Sequence, residues 1–244
     1  MPRLYVPQPY LVGDTIELPE EAAHHWCRVL RAQVGDQAQL FDGQGHCADV
    51  ELVEAGRKQA SVKVLSTSSP LRESTLHTHL GLVMSRGERM DYALQKATEV
   101  GVSEITLLSS ERCEVKLRGE ERADKKLSHW QRVLVSACEQ SGRNTLPVLH
   151  SPMLLADWLS SVNADQKWVL APSVQGGPSH DNPPNSVALL IGPEGGLSEG
   201  EINQAQSKNF LPWQLGPRVL RTETAPVAAL AVLQWLYGDY QDKR

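Results

Sequence analysis

Residues 187–201 read VALLIGPEGGLSEGE, and the fold class turns on them. The aliphatic run 187–191 is bounded like a strand and suits one buried on both faces. Gly192-Pro193-Glu194-Gly195-Gly196 end the run, and Ser198 followed three residues later by Glu201 is the Ser-x-x-Glu signature of a helix start. A strand that passes through a glycine turn into a helix brings backbone groups close to a ligand at the strand's carboxyl end. The loop carries no Gly-Lys-Ser/Thr and lacks GxGxxG spacing, so it is neither a Walker loop nor a dinucleotide fingerprint. Glu194 disfavours an anion there and fits a neutral or cationic ligand. On the glycines alone, a plain structural turn is as good a reading as a ligand loop.

Outward from this stretch the pattern recurs. Residues 215–225, LGPRVLRTETA, again place a glycine between a short apolar run and a helix, which extends over about 225–237 with Pro226 in its first turn. Arg218 and Arg221 flank that helix start, where a cation opposes the helix dipole. A residue that works against local stability points to function. Upstream, 168–171 reads as another buried strand, and 124–140 as a long helix with Leu127, Trp130, Leu134 and Ala137 at helical spacing. It ends near Gly142, where Arg143 reads equally as a cation on the helix C-terminus or as a contact to substrate. Residues 76–84 and 104–108 read as strands, with a helix at 88–100 whose Met90, Ala93, Leu94, Ala97 and Val100 share one side. Strands alternating with helices predict an α/β domain with a mostly parallel sheet.

The first seventy residues differ. Strand candidates at 3–6, 15–18, 37–41, 46–53 and 60–65 are separated by turn signals such as Asp42-Gly43. One helix starts at Pro19, with Ala22, Trp26, Val29 and Leu30 as its apolar face. So many short strands predict a small β-barrel. The polar, proline-bearing stretch 66–74, STSSPLRES, reads as a linker, giving domains at 1–70 and 74–244.

Composition bounds the function classes. A net charge of −5 over 244 residues argues against a phosphate-gripping surface spread over the whole chain. Locally the balance changes: 112–132 holds seven basic residues against four acidic ones, a surplus of three, and 24–32 holds Arg28, Arg31 and two histidines with no acid. A solvated face is the plain alternative for both runs. The four cysteines form no CxxC pair, as expected of reduced thiols in the cytoplasm. The prolines of 1–13 argue against a signal peptide, and the longest apolar stretch, 225–233, is far too short to span a membrane. His77 and His79 share one strand face, but nothing in the sequence suggests a third ligand, so no metal is expected.

Several stretches together resemble one family: HHWCRVLR at 24–31, Gly35, FDG at 41–43, QKATEVGV at 95–102, EQSGR at 139–143, IGPEGG at 191–196 and LRTETA at 220–225. The chain is similar over nearly its whole length to the RsmE family, bacterial methyltransferases of N3 of a uridine in 16S ribosomal RNA. The resemblance implies a SPOUT-type α/β domain with a C-terminal trefoil knot, a rare exception to ordinary chain connectivity. It also implies a PUA-like barrel in front, and a homodimer with cofactor pockets near the subunit interface. S-adenosylmethionine would be held by loops at 170–173, 191–196 and 215–220. Its expected contacts are Leu170, Ala171, Ile191, Gly192, Pro193, Glu194, Gly195, Gly196, Leu215, Gly216 and Leu220. Arg3, Arg28, Arg31 and Arg86 are the expected RNA contacts, with 16S ribosomal RNA in the small subunit as partner.

Methyl transfer from a sulfonium needs an in-line nucleophile and is accelerated mainly by positioning. N3 of uracil attacks well only once its proton leaves and charge spreads onto O2 and O4, so the site needs a proton route and an oxyanion donor. Arg221 is the expected donor, with Arg143 of a partner subunit as the substitute. Glu223 is a candidate base or a structural partner of an arginine. N3 lies on the pairing edge, so the base must be unpaired or flipped. Two alternatives stay open: a SPOUT enzyme with another RNA target, such as a ribose 2′-hydroxyl, and a non-catalytic RNA-binding assembly factor.

Overall fold

In a computed structural model, which describes residues 1–56, 59–115, 120–171 and 176–241 and leaves the side chains of 120–122 undescribed, the alternation of the first seventy residues becomes a five-stranded sheet. Its strands are β1 (Arg3–Tyr5), β2 (Thr15–Glu17), β3 (Gln37–Phe41), β4 (Cys47–Ala55) and β5 (Ala60–Ser68), in the order β1-β3-β4-β5-β2. β1 runs parallel to β3, and the other neighbours are antiparallel. Val50, Leu52, Ala60, Val62 and Val64 point into one core with Leu4, Ile16 and Leu40. Register shifts after Asp49 and Leu52 mark bulges that bend β4 against β5. Among the described residues β1 and β2 are not paired, so the expected barrel is not closed by hydrogen bonds.

The helix expected from Pro19 is corrected. A single α-turn, α1 (Glu20–Ala23), continues as a π-helical stretch, His24–Val29. The Leu30 N–H donates to the His25 carbonyl, a span of five residues, at 3.0 Å. Wider turns keep Ala22 and Trp26 buried but rotate Val29 and Leu30 to 58% and 49% exposure. These two therefore do not belong to the apolar face.

The chain divides into two compact units, one of Met1–Glu73 with Val135–Leu146, the other of Ser74–Leu134 with the chain from Pro147 onward. A division at 70–74 thus leaves out an excursion: the last turns of α3 (Glu120–Ser141) and the following loop belong to the first unit. Cys138 there packs with Phe41 and Cys47, and the Tyr5 N–H donates to Glu139 Oε1 at 3.1 Å. Burial raises the Glu139 carboxyl above its ordinary range, an effect that this bond opposes. The supposed linker also shrinks, because β5 extends to Ser68.

The second unit holds six parallel strands: β6 (His77–Val83), β7 (Glu104–Ser109), β8 (Val148–Leu154), β9 (Gln166–Leu170), β10 (Ser186–Ile191) and β11 (Leu211–Trp213). Their order is β11-β9-β10-β6-β7-β8. β10 is apolar from Val187 to Ile191, and β6 and β7 are buried and mainly apolar beyond their polar amino ends, as burial on both faces requires. The helices are α2 (Glu88–Glu99), α4 (Leu155–Ser161), α5 (Glu199–Ser207) and α6 (Thr224–Leu236), with α2 packed on α6. α2 buries the expected Met90, Ala93, Leu94 and Ala97. At Gly81 in β6 a Cβ would stand 2.5 Å from the Trp158 ring, so glycine lets that fully buried indole lie on the strand. Among the described residues, no helix is long and apolar enough to cross a membrane.

Candidate functional site

In a parallel sheet every strand delivers its following loop to the same edge. β9, β10 and β11 accordingly bring residues from three loops onto one cleft of about 850 Å³. Leu170 and Ala171 come from the end of β9 and the residue after it, Ile191, Gly192, Pro193, Glu194, Gly195 and Gly196 from the end of β10 and its loop, and Leu215, Gly216 and Leu220 from the loop after β11. The structure therefore brings every expected cofactor residue into one place. Pro172 and Ser173, also in the expected first loop, lie outside the described residues.

The glycines do separate jobs. A Cβ on Gly192 would meet Leu197 Cγ at 2.9 Å and the Leu197 nitrogen at 3.0 Å, so the loop folds back on itself only without a side chain there. Gly196 turns the chain at φ +67°, its N–H donating to the Pro193 carbonyl at 2.8 Å. Gly195 is different: a Cβ there would make only ordinary contact with Arg112, 3.5 Å away. What holds the loop in place is α5. Ser198 Oγ accepts the Glu201 N–H at 3.2 Å, and Glu201 Oε2 accepts the Ser198 N–H at 2.8 Å, the capping box the sequence announced. The other oxygen of the buried Glu201 carboxylate accepts the Glu111 N–H at 2.8 Å, which ties the loop to the segment after β7.

Two arginines that sequence reasoning missed also line the cleft. Arg89 on α2 donates to Glu194 at 3.1 Å, and Arg112 donates to the Gly195 carbonyl at 2.8 Å. Their only sequence signal was the place of Arg112 in a basic run. The pairing with Arg89 changes the reading of Glu194, whose charge is largely answered and no longer argues strongly about the ligand. Arg221 lies on the cleft with its side chain 82% exposed, 4.0 Å from the Glu223 carboxylate. Its carbonyl accepts the Thr224 and Ala225 N–H groups, so Arg221 opens α6 through its backbone and keeps its guanidinium free to face the cleft. Glu223 is the N-cap of α6 without a side-chain cap bond.

Arg143 is 7% exposed, its guanidinium holds both oxygens of Glu73 and it belongs to the first unit, so within one chain it is a structural ion pair. Arg3, expected on RNA, is half-buried and donates to Gln39, to the Arg143 carbonyl and to Asn144, so its guanidinium is committed to the fold. Arg28 and Arg31 are exposed, Arg31 in a left-handed conformation at φ +59°. Arg86 is exposed and pairs with Glu114 at 3.1 Å. Lys116 and Arg118 of the basic run lie outside the described residues. The strand histidines have neighbours the sequence did not suggest: Glu104 on β7 and His150 on β8.

A family model described as an RNA methyltransferase domain matches residues 72–234, and one described as an RNA methyltransferase PUA domain matches residues 18–65. A ribosomal RNA small subunit methyltransferase E of Buchnera aphidicola is 34% identical, covering 98% of each chain. A methyltransferase of Legionella pneumophila, solved with the bound cofactor SAM, is 41% identical over 97% of this chain and 98% of that one, with a TM-score of 0.93. A ribosomal RNA small subunit methyltransferase E of Neisseria gonorrhoeae, bound to S-adenosylmethionine, is 37% identical over 99% and 100%, with a TM-score of 0.90.

Proposed function

The chain belongs to the RNA methyltransferase family whose bacterial members are called ribosomal RNA small subunit methyltransferase E, and from that premise we infer its reaction and its site. It is an S-adenosylmethionine-dependent methyltransferase of 16S ribosomal RNA, and N3 of a uridine is the atom it modifies. The observation that carries this reading is the cleft, where both cofactor motifs of the sequence meet at the carboxyl ends of β10 and β11, the parallel strands on either side of β9.

The residues fit the cofactor. Without a Cβ at Gly192 the loop folds back against Leu197 and lays its main chain along the cleft, and a cleft of about 850 Å³ is of the size class that encloses a nucleoside-sized molecule. Leu170, Ala171, Ile191, Gly192, Pro193, Glu194, Gly195, Gly196, Leu215, Gly216 and Leu220 are assigned to it. When bound, S-adenosylmethionine supplies the electrophilic methyl group. The chain's own residues position the base, accept the N3 proton and answer the charge on O2 or O4. Arg221 is assigned the last role, because an exposed guanidinium at the cleft edge is suited to charge that appears only during reaction. Glu223 is the candidate proton acceptor, beside Arg221 and only partly exposed.

The finer architecture follows the same premise. The chain through the three cleft loops forms a trefoil knot of SPOUT type, and the molecule works as a homodimer. Trp235 and Val232, 55% and 37% exposed on α6, are apolar surface such an interface would cover. The first unit is the RNA-holding PUA-like domain, with Arg28 and Arg31 as phosphate contacts, and the cytoplasm is where ribosomal RNA is met. The test is incubation with small-subunit RNA and S-adenosylmethionine, followed by mass spectrometry of the digested product. 3-Methyluridine is expected. A ribose methyl would move the chain to another target, and cofactor binding without transfer to any RNA would favour an assembly factor.

A further inference from the structure

Away from the cleft, at the amino ends of β6, β7 and β8, three strands set a second constellation side by side. His79 pairs in register with Glu104, and Thr106 with His150. Candidate ligand atoms of His79, Glu104 and His150 all lie within 4.8 Å of one another. His150 Nε2 is 2.6 Å from Glu104 Oε2, and His79 Nδ1 is 3.7 Å from the same oxygen. We propose that His79, Glu104 and His150 form a binding site for a dication of the zinc class, a role separate from methyl transfer.

Two imidazoles and a carboxylate are a ligand set that zinc accepts, with a water completing four-coordination. Zinc–ligand bonds of about 2.0–2.1 Å at tetrahedral angles require ligand atoms roughly 3.3 Å apart. The separation of His150 from Glu104 must open slightly and that of His79 must close by a few tenths of an ångström. Side-chain rotation supplies both, while the ladder keeps the three backbones fixed. The side chains of His79, Glu104 and His150 are 16%, 27% and 38% exposed, so an ion has a path in and a water a place to sit. His77, with Nε2 2.8 Å from Glu104 Oε1, stands at the rim as a further donor.

The surroundings prepare the ligands. Thr106 Oγ1 lies 2.8 Å from His79 Nε2 and accepts its N–H in the tautomer that leaves the Nδ1 lone pair facing Glu104. The Trp158 indole N–H approaches the same Nε2 at 3.3 Å and favours the other tautomer, so ion binding gives up that contact and should alter Trp158 emission. Burial, opposed by the Glu104 charge, lowers the His79 imidazole to about 4. Burial also pushes the Glu104 carboxyl up, but hydrogen bonds from His150 and His77 more than offset it and keep the group ionised; ion binding replaces the His150 bond, its Nε2 then giving up the proton and presenting a lone pair. A borderline ion suits imidazole and carboxylate together, whereas magnesium or calcium would demand a shell of oxygens.

The test uses the intact, tag-free chain, stripped with a chelator and titrated with ZnCl2 and separately with CoCl2. One ion per chain is expected at a dissociation constant of about a micromolar or tighter, which raises the melting temperature by mass action. Cobalt should give the visible bands of a four-coordinate nitrogen–oxygen site, not of thiolate ligation, with a matching change in tryptophan emission. Glu104→Gln and His150→Gln should each weaken zinc at least about tenfold, the scale seen when a metal's supporting groups are lost. His129→Gln, which removes an exposed imidazole paired with Asp91, should leave zinc affinity unchanged. Absence of saturable binding, thiolate bands with cobalt, or equal affinity in the Glu104 and His150 variants would overturn the proposal. If either variant fails to fold, the cobalt spectrum and the emission change of the unaltered chain decide.

Discussion

The two ends of the six-stranded sheet are built from different chemistry. At the carboxyl ends of β9, β10 and β11 the cleft is walled largely by loop residues, and its decisive positions are glycines that let main chain come close. At the amino ends of β6, β7 and β8 the polar groups are side chains, two imidazoles and a carboxylate carried on extended strand. A loop can be reshaped around a large, flat ligand. A strand ladder cannot, so it offers fixed points for something as small as an ion. The sheet thus separates a molecular site from a point-charge site by its polarity alone.

The largest effect expected at the cleft is on rate, and it tests whether a side chain adds chemistry to that backbone site. Arg221→Ala should lower the single-turnover methylation rate by roughly two to three orders of magnitude, the cost of removing an oxyanion donor. Affinity for S-adenosylmethionine should hold or improve, because a cation beside a sulfonium is unfavourable. Lysine should restore the rate only in part, since it keeps the charge and loses the fork. Loss of cofactor affinity with an unchanged rate at saturation would make Arg221 a binding residue.

A smaller effect separates structural glycine from site glycine. Gly81→Ala forces a methyl into the Trp158 ring and should cost about 1–3 kcal/mol in denaturant unfolding, the usual penalty of overpacking. Cofactor affinity, measured where the variant is folded, should not move. An equal loss at both ends would mean that the sheet couples them. The smallest effect lies in the first unit: Arg28→Ala with Arg31→Ala should reduce the slope of log affinity for RNA against log salt by about 1–2 units. An unaltered slope would return both residues to the solvated surface.

These contrasts also explain what was legible in the sequence. The cleft could be read because each loop is contiguous: residues 187–201 carry strand end, turn and helix start in one stretch, residues 215–225 carry turn and helix start, and local rules decode them. Arg89 and Arg112 were not readable, because their hold on Glu194 and Gly195 depends on how α2 and the segment after β7 fall beside β10. The histidine cluster was half visible as His77 and His79, while Glu104 and His150 arrive only with strand order and register. Arg143 was ambiguous because a cation after a helix looks the same whether it meets solvent, substrate or, as here within one chain, the partly exposed Glu73. Val29 and Leu30 misled because α-periodicity was assumed where the backbone winds as a π-helix. β8 and β11 escaped notice because each is partly exposed and carries a proline, Pro152 and Pro212, which argues against strand in a local reading.

The central claim is that backbone approach in the Gly192 loop makes the cofactor site. The direct measurement is calorimetric titration of S-adenosylmethionine into the chain and into Gly192→Ala, with circular dichroism confirming that both are folded. A Cβ at 2.9 Å from Leu197 Cγ must push the loop out of shape, so affinity should fall at least about a hundredfold in a folded protein, nearly 3 kcal/mol. Equal affinity for the two proteins would contradict the account and place the cofactor elsewhere.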